Sequence, residues 1–199
     1  MPEADPPLAE NCQRCGSAAI RIFRGGTSSP RACRGAKCVR TNSSILHTMK
    51  IKVDTIAIFG DKPFLKQTAK ALKLLNSKCP VIYESVVNTH LGVIKQASRS
   101  RIKVTAKPPT FYVGRKTAYY SLKWYACAIV HDAYHSKQYA DYKKKHRKVP
   151  VNIYFSPEAE LDCIKKELRV AEKLKLPKRD IDFKKSLDGS YIYWKKKDW

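Results

Sequence analysis

Residues 117–146, TAYYSLKWYACAIVHDAYHSKQYADYKKKH, run for thirty positions without a glycine or a proline. Residues that can face a core recur through them at helical spacing: Tyr120, Trp124, Cys127, Ala128, His131, Tyr134, His135, Gln138 and Tyr142. That periodicity predicts one long helix. Its first half is apolar nearly all round and belongs inside a core, while its second half runs out into charge. A chain built round such a helix needs other elements to cover it.

The flanking sequence supplies them. IKVDTIAIF (51–59) is rich in β-branched residues and stops at Gly60, so it reads as a strand. Residues 61–78 read as an amphipathic helix, with Asp61 as cap, Pro63 in the first turn and an apolar stripe of Phe64, Leu65, Ala69, Leu72 and Leu75. PVIYESVV (80–87) fits a strand or a short helix. SRIKVTA (100–106) and FYVGR (111–115) read as strands separated by the breaker KPPT, and VPVNIYF (149–155) as a connector or short strand. SPEAELDCIKKELRVAEKLKL (156–176) is a second strong helix. Ser156 caps it, Pro157 takes the first helical position, acids fill the first turn, and Pro177 stops it. KRDIDFKKSL reads as a short helix after that. The expected fold class is α+β: a small mixed sheet, a long buried helix and a further helix packed on it.

Composition divides the chain at Met49. Residues 1–48 hold six Arg and one Lys, whereas residues 49–199 hold six Arg and 27 Lys. The first segment reads as a poorly structured Cys-containing extension or an over-long start, and the second as the folded domain. A competing reading of the extension is a zinc ribbon on Cys12, Cys15, Cys33 and Cys38. Only the first pair has the Cys-x-x-Cys spacing of a standard knuckle. The net charge of +23 attracts polyanions, nucleic acid among them. Most lysines are nevertheless spread thinly, and the dense runs KKKHRK (143–148) and KKK (195–197) read as exposed ends. No apolar run approaches the roughly 18 residues that span a bilayer, so no membrane partner is expected. The first residues lack a secretory pattern. The expected compartment is the cytoplasm, with the seven cysteines reduced or metal-bound.

The long helix carries His131-Asp132-Ala133-Tyr134-His135. Positions i and i+4 share a helix face, so both imidazoles can aim at one metal ion. The residue after the first histidine points toward a remaining coordination position, where a carboxylate can take a proton from bound water. Asp132 stands there. A catalytic metal needs a third protein ligand. Glu158, in the first turn of the next helix, is favoured, with Asp162 one turn on to orient a histidine. Glu160 is the alternative. Asp141 should point away, because Gln138 leaves no break at which the helix could turn back. Tyr139, one turn after His135, is placed to offer its phenol to a developing oxyanion. Cys127 precedes His131 by a turn and Cys163 follows Asp162; both fit a core, and Cys127 as a fourth ligand would close the site. A plainer account also exists. Two such histidines can be hydrogen-bonded core residues, Glu158 can serve the helix dipole alone, and Asp162 can pair with Lys165 or Lys166.

These residues resemble the zincin metallopeptidases, in the gluzincin pattern of His-Glu-x-x-His followed by Glu-x-x-x-Asp on the next helix. The resemblance covers roughly residues 109–172. It implies a zincin-like fold with Zn²⁺ held by His131, His135 and Glu158, and Asp132 where the family has its general base. It also implies an edge strand, TFYVG (110–114), that binds an extended peptide. The expected function is zinc-dependent hydrolysis of a peptide or protein substrate. Asp is one methylene shorter than Glu, so its carboxylate retreats by about 1.5 Å. Misplacement on that scale costs about a hundredfold in rate. The alternative function is a non-enzymatic basic protein with a structural zinc, contacting nucleic acid.

Overall fold

A computed structural model describes residues 49–189. The proposed extension 1–48, with Cys12, Cys15, Cys33 and Cys38, lies outside the described residues. A five-stranded mixed sheet has the order β1-β2-β3-β5-β4. Strand β1 (Met49–Val53) pairs antiparallel with β2 (Ile56–Gly60), which runs parallel to β3 (Val93–Ala97). Strand β5 (Thr110–Gly114) is parallel to β3 and antiparallel to the edge strand β4 (Arg101–Lys103).

The single strand expected over 51–59 is a hairpin. Asp54 and Thr55 turn the chain, with Asp54 at φ 48°, a left-handed conformation that Asp tolerates better than most residues. Helix α1 (Lys62–Lys78) begins as its sequence suggests, with the Phe64 amide donating to Asp61 at 2.8 Å. Residues 80–88 are helical, α2 (Pro80–Ile82) continuing as a π-helix over Tyr83–Asn88.

The long helix is interrupted. Helix α3 (Arg115–Tyr120) ends at Ser121, which is extended at φ −158°, ψ 156°. The Ser121 hydroxyl accepts from the Trp124 amide at 3.1 Å and so starts α4 (Leu122–Lys145). Helix α5 (Pro157–Lys173) is capped by Ser156, and α6 (Lys178–Lys185) follows Pro177. The core lies between sheet and helices. Ile58, Ile94 and Phe111 from the sheet are fully buried with Phe64, Leu72 and Leu75 of α1 and Tyr125, Ile129 and Val130 of α4. Helix α4 touches α1, α3, β4 and α5, so every layer of the fold locates it.

TFYVG is not an edge. It is flanked on both sides, and β4 is the exposed rim at that end of the sheet. Among the described residues, no helix is long and apolar enough to cross a membrane.

Candidate metal centre

His131 and His135 sit one turn apart on α4, directly after its buried residues Tyr125, Ala126, Cys127, Ile129 and Val130. Their Nε2 atoms lie 3.1 Å from each other. The third group beside them is Glu160 of α5: Oε2 is 3.1 Å from His131 Nε2, and Oε1 is 3.3 Å from His135 Nε2. His135 and Glu160 are buried. Among the described residues, these three form the one His/Cys/Asp/Glu group whose donor atoms all converge, within 4.8 Å.

The structure thus brings Glu160 to the histidines where the sequence pattern favoured Glu158. Two helical positions are about 200° apart, close to opposite faces. Glu158 is exposed, and a hydrogen bond from Ser156 holds its carboxyl below the usual range. The buried face of α5 is Ala159, Glu160, Cys163, Ile164, Glu167, Val170 and Ala171. Two glutamates stand in that otherwise apolar stripe. Since buried carboxylates need partners, the stripe itself signals Glu160 and Glu167.

Glu167, rather than Asp162, orients a histidine. Its Oε2 lies 3.3 Å from His131 Nδ1, leaving Nε2 to face Glu160 and His135. Lys184 of α6 reaches Glu167 Oε1 at 2.6 Å, with both side chains about 5% exposed, and its ammonium lies 3.5 Å from the centre of the Trp124 ring. Asp162 is exposed and, among the described residues, meets Gln138 at 3.4 Å and Lys166 at 4.0 Å. Gln138 also donates to the Ala159 carbonyl at 3.3 Å and accepts from Cys163 Sγ at 3.6 Å. Those bonds stitch α4 to α5 in the register that turns Glu160 toward the histidines. Cys127 and Cys163 stand outside the converging group, and burial pushes both thiols up. Asp141 pairs with Lys137 and Lys144.

Charge is balanced inside the cluster. Burial opposes the His131 charge, but hydrogen bonds with Glu160 and Glu167 prevail and raise it to about 10. Burial also opposes ionisation of the two glutamates. The histidines overcome it at Glu160, and chiefly Lys184 overcomes it at Glu167, so each is lowered to about 2. His135 Nδ1 is buried without a partner among the described residues.

A cavity of about 280 Å³ adjoins the cluster. Asp132, His131, His135 and Glu160 line one part of it, and Ile102, Phe111, Trp124 and Phe155 give it an apolar wall. Asp132 is half-buried and makes no hydrogen bond or ion pair among the described residues. Burial raises its carboxyl to about 6, against the lowering effect of the two histidines. Tyr139 does not reach this cavity. It lines a separate cleft, packs edge-on against Tyr154 and accepts from Lys143 at 3.3 Å. The reason is chiefly axial: Tyr139 lies about 9 Å along α4 from the midpoint of the two histidines and about 60° round from their bisector. Comparison with protein-family models, curated proteins and solved structures yields no match to this chain.

Proposed function

We propose that this domain is a zincin-like, zinc-dependent hydrolase of peptide bonds, with His131, His135 and Glu160 as the metal ligands. The observation that carries the reading is the spacing of three donor groups. A tetrahedral zinc with bonds of about 2.0–2.1 Å sets its ligand atoms roughly 3.3 Å apart. The three separations here are 3.1, 3.1 and 3.3 Å. Two imidazoles and one carboxylate are also a donor set that catalytic zinc uses. Glu167 on His131 Nδ1 supplies the outer carboxylate that such histidines ordinarily have, fixing the tautomer that presents Nε2.

Zinc bound there would polarise a carbonyl and make a water acidic near neutral pH. Asp132 lies in the same cavity with a free carboxylate to accept a proton. The edge strand β4 contributes Arg101 and Ile102 to the cavity, and its rim, unpaired among the described residues, would take an extended peptide chain.

One observation favours a second reading. Protonated His131 and Lys184 neutralise Glu160 and Glu167 without any metal. On that account the cluster is a buried ion network that joins α4, α5 and α6. Metal analysis separates the two. Zinc-supplemented protein, desalted and measured by plasma mass spectrometry, should hold about one zinc per chain. His131→Ala and Glu160→Ala should lose it, while Glu158→Ala keeps it. Retention in Glu160→Ala, or no zinc in the unsubstituted protein, sinks the metal reading.

A further inference from the structure

The run KKKHRK at the end of α4 takes no part in the metal centre. Lys143 and Lys144 instead line a second cleft, of about 870 Å³, on another face of the helix. Lys107, from the loop between β4 and β5, joins them there, as does His90. Sequence spacing gave no reason to group Lys107 with the run. Among the described residues that line this cleft, none is aspartate or glutamate. Lys107 and Lys143 have no carboxylate partner among the described residues, and Lys144 meets Asp141 only at 3.5 Å while 71% exposed.

Two further observations point to an anionic occupant. Ser136 lines the cleft, is 1% exposed, and its hydroxyl has no hydrogen-bond partner among the described residues. His90 is held below its ordinary value, by burial first and then by Lys137, with Lys144 acting in the same direction and Asp141 against. The lysine field therefore reaches the cleft wall. Beyond the cleft the positive surface continues: Lys145, Arg147 and Lys148 are exposed. A single phosphate would need only the cleft, whereas a strand of phosphates uses its continuation.

We propose that this cleft and the end of α4 bind the phosphodiester backbone of a single-stranded nucleic acid. Lys107, Lys143 and Lys144 contact phosphates, and the Ser136 hydroxyl is a donor at the floor. A concave cleft of this size suits one strand, and lysines that meet only backbone carry no sequence preference. The proposal does not rest on the metal centre.

Fluorescence anisotropy of the full chain with fluorescein-labelled oligothymidine and oligouridine tests it. Binding should be measurable at about 50 mM salt and fall linearly on a log–log plot as salt rises. The triple variant Lys107→Glu, Lys143→Glu, Lys144→Glu should bind at least about tenfold more weakly, with the slope reduced by about 0.7 for each phosphate no longer neutralised. A control with the same charge change, Lys62→Glu, Lys66→Glu, Lys70→Glu on the exposed side of α1, should keep most of the affinity. Binding of either oligomer in this pattern supports the proposal. Absence of binding, equal losses in the two triple variants, or displacement by polyglutamate as effective as by oligonucleotide overturns it. These lysines are exposed, so thermal melts should match; should the cleft triple melt early, Lys107→Glu alone against Lys62→Glu carries the comparison.

Discussion

In the proposed hydrolysis, Asp132 is the residue on which the chemistry would turn. Its carboxylate faces the cavity with no bond to hold it, and burial keeps its proton affinity close to neutral pH. A base with those properties is suited to catalysis near neutrality. Asp132→Asn preserves shape and removes the base. It should retain zinc and lose at least about a hundredfold in cleavage of a fluorescent casein substrate. Undiminished cleavage would take Asp132 out of the mechanism. The histidine pair was legible from its four-residue spacing alone. Its carboxylate partner was not, because the Glu-x-x-x-Asp pattern pointed to Glu158 while the helix face pointed to Glu160. The hydrophobic stripe was the better guide, since burial is decided by face and not by motif.

At the level of elements, caps and stripes were the readable features. Asp61 and Ser156 start their helices where the sequence placed them, whereas α5 ends at Lys173, ahead of the expected stop at Pro177, which instead precedes α6. Asp61 also ties α1 to the sheet: Gln96 of β3 donates to it at 2.9 Å, and Arg115 lies 3.5 Å away. The Gln96 hydrogen bond, then the Phe64 amide and Arg115, hold its carboxyl below the usual range. A depressed folded pKa gives stability that is complete above the unfolded value, near 3.9, and is lost as the pH falls through the folded one. Asp61→Ala should therefore cost about 1 kcal/mol in urea unfolding at neutral pH, and progressively less in acid. A penalty that does not change with pH would show that the cap works without its charge. Three elements escaped the sequence. The hairpin at Asp54 has no glycine to announce it. Strand β3 buries only Ile94 and so lacks alternation. The break at Ser121 is set by a side-chain cap inside a stretch with no helix-breaking residue. The α+β class survived these omissions, because the long apolar helix and the β-branched runs define the layers.

On the scale of the whole molecule, α6 closes the structure over the cluster. Lys184 is the contact that matters, because its ammonium is buried and meets a buried carboxylate. Breaking such a pair from one side leaves an uncompensated charge and costs about 3–5 kcal/mol. Lys184→Met should lose stability on that scale, and the double variant Lys184→Met, Glu167→Gln should regain part of it. A single variant as stable as the parent would mean that Glu167 is satisfied by His131 alone. The long-range pairing of α6 with α5 and α4 was invisible in sequence, where Lys184 is one of 27 lysines between Met49 and Trp199. Helix α4, finally, is a partition. His135 lines the cavity and Ser136, the next residue, lines the basic cleft. Consecutive helical positions are about 100° apart, so the two compartments adjoin neighbouring faces of one helix. Ligands in the two compartments that both bias the position of α4 would be coupled through it, with equal free energy in both directions.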